Sequence, residues 1–324
     1  MSKQSLGFEE GLYFDISDED YHNDPALGSS GVKNLLVSPM KYWRNSSLNP
    51  KKKFKRTASM KLGTVLHCYL MERERFYKDY IVLPDLLIDS EFYKSESIKP
   101  DFEENFQLPK TKTAKTFKYV GDKIKLSQEE FEGIKEKIDY FLSLPAAGQL
   151  FKNGYPEVSI FWRDKETGVM CKCRFDWLAA RYISDYKSIN NINKIKSQIV
   201  DYDYYIQQAF YLRGLNFFRN NPICADNVDE DFINKVINST HNNFIFAFQD
   251  KDDLMVRLKT FGEDVIESSN DLINRALNIY KDSIEKYGLE RWEDSYKLIE
   301  NEPDIEMLCW EDLPNFAQYK YNRL

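Results

Sequence analysis

The stretch from Glu157 to Lys187 constrains this chain most, because it alternates like a run of strands and still carries Glu157, Asp176, Asp185 and Lys187. In Arg-Phe-Asp176-Trp-Leu-Ala-Ala-Arg-Tyr-Ile-Ser-Asp185-Tyr-Lys187, a turn at Ala180-Arg181 sets Asp176 directly opposite Asp185 across an antiparallel pair. Carboxylates that close repel unless a cation lies between them. Side chains two apart share a face of a strand. Lys172, Arg174 and Asp176 therefore share one face, while Val169, Cys171, Cys173, Phe175 and Trp177 form an apolar opposite face suited to a core. Asp185 and Lys187 share a face of the next strand. Acids and lysine are expected to look into a cleft, with a packed layer behind them.

Such a set fits phosphodiester hydrolysis, which needs a cation to neutralise the phosphate, an activated water and a donor for developing negative charge. Asp and Glu oxygens suit Mg²⁺, with Mn²⁺ as a substitute. Lys187 beside the water could orient it or help its deprotonation. A metal would lower the lysine's pKa and the carboxylates would raise it. Taken alone, the Asp-x-Lys triplet reads equally as a solvated surface pair. Two further segments add to it. Tyr202 to Gly214 has helical apolar spacing that puts Gln207 and Tyr211 on one face, able to bond a phosphate or Lys187, or simply to cover the sheet. Leu62 to Leu70 is an apolar helix with one histidine, His67, which suits either a core hydrogen bond or a metal's coordination shell.

The order Gly-Thr-x-x-His67, Glu157, Asp176, Asp185-x-Lys187 and Gln207-x-x-x-Tyr211 resembles the PD-(D/E)xK nuclease superfamily, and within it phage and prophage recombination exonucleases of the RecE, or exonuclease VIII, type. The likeness extends to Tyr21 through Trp43, Thr167 through Asp176, Tyr202 through Tyr211, Ala276-x-x-x-Tyr280 and Trp310-Glu-Asp-Leu-Pro314; Pro84 to Lys118 is unmatched. The resemblance implies a restriction-endonuclease-like α/β core, a central mixed sheet flanked by helices. It also implies a Mg²⁺-dependent exodeoxyribonuclease that degrades the 5′ strand at double-stranded DNA ends and leaves 3′ overhangs for a single-strand annealing protein. By the same resemblance His67, Glu157, Asp176, Asp185 and the Tyr186 carbonyl are metal ligands or their support. Lys187 acts on the water, and Gln207 and Tyr211 position lysine and phosphate. Tyr186 and Ser188 stand where an aliphatic residue and threonine are usual, which removes no catalytic group. A homo-oligomeric ring, trimer or tetramer, is the further expectation, with a phage or prophage gene and a bacterial host cytosol.

The formal charge of −7 argues against DNA binding if only the sum counts. Affinity depends on where charges sit, and bound metal offsets several acids. Lys51, Lys52, Lys53, Lys55 and Arg56 form the densest basic run, either flanking a DNA path or making a solvated loop; Lys172 and Arg174 are expected to meet DNA as well. The cysteines, Cys68, Cys171, Cys173, Cys224 and Cys309, include no CxxC pair and no late cluster, which excludes a zinc ribbon and disfavours an iron–sulfur site. Their odd count, without a secretory leader, points to reduced thiols in a cytosol. No apolar run is long enough to span a membrane.

A chain of 324 residues, 42% hydrophobic, supports one elaborated α/β domain: a helical N-terminal elaboration to about 82, an irregular insertion over about 83–119 and a nuclease core over about 120–324. Aromatic residues make up 15%, and tyrosines near the site serve base stacking or core packing. Ser30 is read as capping a helix through Leu36, Pro39 as opening another, and Ser127-Gln-Glu-Glu130 as a capping box for a helix to about Leu144. Strands are expected over Val158–Trp162, Met170–Ala179, Tyr182–Lys187, Asn243–Phe248 and Leu254–Leu258, and a closing helix over about Gly262–Lys286. Two rivals remain: a structure-specific or restriction-like endonuclease on the same core, and a DNA-binding recombination scaffold with a structural acidic cluster.

Overall fold

The alternating segments assemble into one six-stranded sheet. The computed structural model describes residues 7–52, 58–83, 123–224, 229–241 and 243–293. In chain order the elements are β1 (Gly11–Tyr13), α1 (Asp18–Asn23), α2 (Ser29–Val37), α3 (Pro39–Asn45), α4 (Ala58–Met71), α5 (Arg73–Asp79), β2 (Tyr80–Leu83), β3 (Ile124–Ser127), α6 (Gln128–Ser143), β4 (Gly154–Arg163), β5 (Met170–Ala179), β6 (Tyr182–Ile189), α7 (Ile195–Asp201), α8 (Tyr204–Asn220), α9 (Glu230–Ile237), β7 (Asn243–Asp250), β8 (Val256–Lys259) and α10 (Glu263–Tyr287). The sheet runs β1-β4-β5-β6-β7-β8. It is mixed: β6 and β7 are parallel, which the long helical crossover through α7, α8 and α9 permits, and the other neighbours are antiparallel. A separate parallel pair joins β2 to β3.

Helices cover both faces. On one, Val158, Ile160, Trp162, Cys171, Cys173 and Phe175 pack with Phe210 and Leu215 of α8 and Ile273 and Leu277 of α10. Gly214 makes the closest approach possible, since a Cβ there would lie 2.9 Å from both Cys173 Sγ and the Trp162 ring. On the other face, Leu66 and Tyr69 of α4 and Ile134, Ile138 and Phe141 of α6 pack on Trp177, Ala179, Tyr186 and Ala247. The Ser127 capping box forms, with Ser127 Oγ accepting from the Glu130 N–H and the Glu130 carboxylate from the Ser127 N–H. The cap of α2 is Gly28 rather than Ser30, while Ser38 caps α3 by accepting from the Lys41 N–H.

One packing expectation is corrected. Trp177 does not share the Phe175 face; it lies in the opposite core with Ala179, against Phe151. Leu178 takes the Phe175 side instead, so alternation skips a step at Asp176. The partner strand skips with it, because Tyr155 and Val158 both face the α8 layer across Glu157. Of the other expected segments, most of the 83–119 insertion, Cys309 and Trp310 to Pro314 lie outside the described residues.

Candidate active site

The skipped step builds the site. In the β4–β5 ladder Pro156 pairs with Trp177 and Val158 with Phe175, which leaves Glu157 and Asp176 facing each other in the gap. Glu157 has φ +54°, a left-handed conformation that Glu adopts at a cost of about 1–2 kcal/mol. Pro156 has no N–H to lose at this irregularity. On the other side of β5 the ladder with β6 ends at Trp177 and Ser184, one step short of Asp176 and Asp185. The expected register therefore holds, but the strands part at the two aspartates. Asp176 Oδ2 takes over as acceptor for the Tyr186 N–H at 2.9 Å.

His67 reaches this gap from α4. Gly63, one turn earlier, lets the helix lie close to β6, since a Cβ there would come 3.1 Å from Ser188 Oγ. His67 Nε2 stands 3.4 Å from Glu157 Oε1 and 3.4 Å from Asp176 Oδ2. The three ligand atoms lie within 4.8 Å of one another, about the span of donors around one divalent ion with metal–oxygen distances of about 2.0–2.6 Å. Burial alone would lower the imidazole pKa, but Asp176 and Glu157 outweigh it and lift it to about 9. Burial pushes the Glu157 carboxyl up to about 7, with Asp176 adding and His67 opposing. Asp176 is held below its ordinary value despite burial, by His67, Lys187 and the Tyr186 N–H. Two hard carboxylates and an imidazole, polarised this strongly, fit a divalent cation.

Asp185 stands apart from the trio, contrary to the expectation that all four ligands meet at one point. Its Oδ2 accepts from Gln207 Nε2 at 2.6 Å, and its Oδ1 lies 2.5 Å from Lys187 Nζ in an ion pair without hydrogen-bond alignment. That Oδ1 is buried, with the Lys187 ammonium as its neighbour. Burial and then Asp176 push the Asp185 carboxyl up to about 6, against the pull of Lys187. Burial would lower Lys187, but Asp185 and Asp176 raise it well above its ordinary value. With only these side chains around it, Lys187 is held as an ammonium by the two carboxylates.

Other sequence candidates divide between the site and its frame. Gln207 holds Asp185, not Lys187 as expected. Tyr211 packs edge-on against Phe175 and Phe244, where burial, and then Tyr21, Asp185 and Asp176, raise its hydroxyl pKa. Tyr186 lines the site cavity, and its hydroxyl donates to Gln249 Oε1 at 2.6 Å. Lys172 and Arg174, expected to meet DNA, are buried at 7% and 8% exposure. Lys172 Nζ donates to the Tyr21 and Asp24 carbonyls. Arg174 bonds Ser159 Oγ, Asp18 Oδ1 and the Ile16 carbonyl, and approaches Glu157 Oε2 at 3.6 Å. Both tie the N-terminal segment to β5, because a buried charge must be paired. Lys51 and Lys52 are exposed; Lys53, Lys55 and Arg56 lie outside the described residues.

Asp18 and Arg75 went unnoticed in the sequence. Asp18 bridges Arg174 and Arg75, and Arg75 also binds Glu72 and Asp79. The signal for Asp18 was local: Ser17 caps α1 by accepting from the Asp20 N–H. Arg75 carried no comparable signal. These groups border a cavity of about 380 Å³ that opens onto His67, Glu157, Asp176 and Lys187.

Comparison with known proteins bears on the fold and the family. The fold resembles the crystal structure of a protein from Eubacterium rectale described as a "putative exonuclease", with a TM-score of 0.52 and 15% identity over 92% of this chain and 98% of that one. No curated protein matches the sequence. Residues 28–287 match the family described as "PDDEXK-like domain of unknown function (DUF3799)". With that match spanning most of its length, the chain belongs to this PDDEXK-like family, within the PD-(D/E)xK nuclease superfamily.

Proposed function

We propose that this protein is a Mg²⁺-dependent exodeoxyribonuclease that degrades one strand of linear double-stranded DNA from its end, 5′ to 3′, and leaves 3′ single-stranded overhangs. The observation that carries the reading is the convergence of His67 Nε2, Glu157 Oε1 and Asp176 Oδ2 within 4.8 Å, on a cavity that Lys187 also lines. A divalent ion held by His67, Glu157 and Asp176 would neutralise the scissile phosphate and lower the pKa of a bound water. The chain's own groups do the rest. Lys187 donates from its ammonium to the negative charge that develops on the phosphoryl oxygens. Asp185 and Gln207 fix that lysine through the ion pair and the hydrogen bond behind it. Arg174 steadies the Glu157 carboxylate from the opposite side.

Strand polarity, an annealing partner, a ring of subunits and a prophage setting belong to the same proposal and rest on the sequence resemblance. Lys187 speaks against the scaffold reading, since a purely structural acidic cluster has no use for a lysine aimed beside it. Incubation with Mg²⁺ and equal amounts of linear and covalently closed duplex tests the main reading. Nucleotide release from the linear form alone is expected. Rapid cutting of closed circles would replace it with the endonuclease reading, and release unaffected by Asp176→Ala would remove the site assignment.

A further inference from the structure

Next to Lys187, the link between α7 and α8 carries an aromatic and basic corner that the proposed chemistry does not use. Tyr202 is 58% exposed and Val200 beside it 63%. Single exposed apolar side chains are ordinary. Tyr202 differs in what backs it. Its ring stacks on Tyr204 with centroids 5.7 Å apart and planes 24° from parallel. Two ammonium groups approach that second ring, Lys187 Nζ at 5.6 Å and Lys33 Nζ of α2 at 5.7 Å. Lys33 Nζ donates to the Tyr202 carbonyl at 2.5 Å, which fixes the corner to α2 and uses one of the three donors of an ammonium. Two acids act on these lysines: Asp203, whose Oδ1 is engaged by the Tyr205 hydroxyl at 2.7 Å, and Asp185, paired with Lys187. An exposed ring with a stacked support, next to a paired set of lysines and continuous with the reacting lysine, has the chemistry of a base platform with phosphate contacts.

We propose that the Tyr202–Tyr204–Lys33 corner binds single-stranded DNA adjoining the scissile phosphate, with Tyr202 stacked on a base and Lys33 on a backbone phosphate. This rests on the nuclease reading and extends it to a strand-holding subsite. The Tyr204 ring of the corner lies 5.6 Å from Lys187 Nζ, so a strand bound there has one phosphate beside His67, Glu157 and Asp176. Stacking tolerates any base, as an exonuclease on arbitrary sequence requires.

The test uses the full chain in EDTA, so that no cleavage occurs, and the fluorescence anisotropy of a labelled oligothymidylate of about twelve nucleotides. Tyr202→Ala is expected to weaken binding by roughly 5- to 150-fold, the loss of one base stack, and Tyr202→Trp to keep it. Lys33→Met is expected to weaken binding and to reduce the slope of log affinity against log salt by about 0.7. Thermal melting checks that each variant is folded; Tyr202→Trp and Lys33→Arg keep the test decisive where a harsher change unfolds the chain. Equal affinity in Tyr202→Ala, Lys33→Met and the unmodified protein overturns the proposal, as does an unmodified protein that does not bind. A Tyr202→Ala change that alters self-association while sparing oligonucleotide affinity also overturns it and makes the corner a protein contact. Nuclease assays of the unmodified protein run in parallel separate the two claims. Tyr202-dependent binding without any cleavage removes the nuclease reading alone, and cleavage with Tyr202-independent binding removes the corner alone.

Discussion

Asp176 and Asp185 occupy adjacent positions on neighbouring strands, yet the two faces of the sheet treat them in opposite ways. On the α4 face, Asp176 and Glu157 have only the His67 imidazole between them, and their charges remain directed into a shared space. On the α8 face, Asp185 is fully buried, paired with the Lys187 ammonium and hydrogen-bonded by Gln207. The first arrangement attracts a cation and the second supplies one. A phosphodiester site needs both, and the parting of β5 and β6 delivers each from its own face. The largest expected effect follows from that division. Asp176→Asn and Lys187→Met should each lower metal-dependent DNA cleavage by roughly a thousandfold or more. Only Asp176→Asn should abolish Mn²⁺ binding measured by calorimetry. Equal loss of metal binding in both variants would erase the distinction between the faces.

A smaller effect is expected from the residue that secures the α8 half. Gln207→Leu removes the 2.6 Å hydrogen bond to a buried carboxylate. A bond to a charged group contributes about 1.5–3 kcal/mol, so denaturant unfolding should show a loss of that order. Support of this kind around a metal site is worth about 10- to 100-fold in activity. The comparison sharpens if kcat falls while metal affinity stays within a factor of about two, because Gln207 touches only the lysine-bearing half. A drop confined to metal affinity would place Asp185 with the trio instead.

Much of this division was legible before the structure. The two-residue turn at Ala180-Arg181 fixed the register and put the aspartates side by side, since hairpin loop length sets strand pairing. The capping box at Ser127 and the period of α10 placed those helices within a residue or two, because both signals are local. Period-two alternation misplaced Trp177, since it assumes an uninterrupted strand and Glu157 and Asp176 interrupt theirs together. It also turned Lys172 and Arg174 toward solvent. Their true partners are carbonyls and a carboxylate about 150 residues earlier in the chain, which no window of sequence can show. The short elements β1 and the β2–β3 pair were missed for the same reason, being held by distant contacts rather than by their own pattern, whereas α1 carried a local signal in its Ser17 cap and acidic first turn. His67 was ambiguous in sequence, and the structure places two carboxylates 3.4 Å from its Nε2.

The α4 half should also respond to pH over a higher range than the α8 half, where the Asp185 carboxyl is raised only to about 6. His67 has its pKa raised from 6.5 to about 9 and Glu157 from 4.5 to about 7. Both folded values lie above the unfolded ones. The His67 contribution is complete below about 6.5 and lost as pH rises through 9, and that of Glu157 is complete below about 4.5 and lost through 7. The metal-free protein should therefore lose stability as pH rises from about 5 to about 9. A divalent ion must displace the same protons, so its affinity should climb over that range. Thermal melting with and without Mg²⁺ should show a larger gain in Tm near pH 9 than near pH 6. A gain that does not change with pH would mean that the ion binds elsewhere.

The smallest expected effect concerns the backbone that makes the two faces unequal. Glu157 is held at φ +54° inside a strand, and the other non-glycine residues found there among the described residues, Asn153 and Asp203, are of types that tolerate it better. Glycine has no Cβ to clash in that conformation. Glu157→Gly should then relieve about 1 kcal/mol of strain and part of the repulsion from Asp176, against the lost approach to Arg174 and the greater freedom of the unfolded chain. Stability by urea unfolding should be unchanged or higher by up to about 1 kcal/mol, while metal binding and cleavage collapse. That pairing is the signature of strain kept for function, because a residue chosen for folding alone would not cost stability where it stands. If Glu157→Gly destabilises the chain by more than about 2 kcal/mol, the left-handed step is a requirement of the β4–β5 packing, and the site merely occupies it.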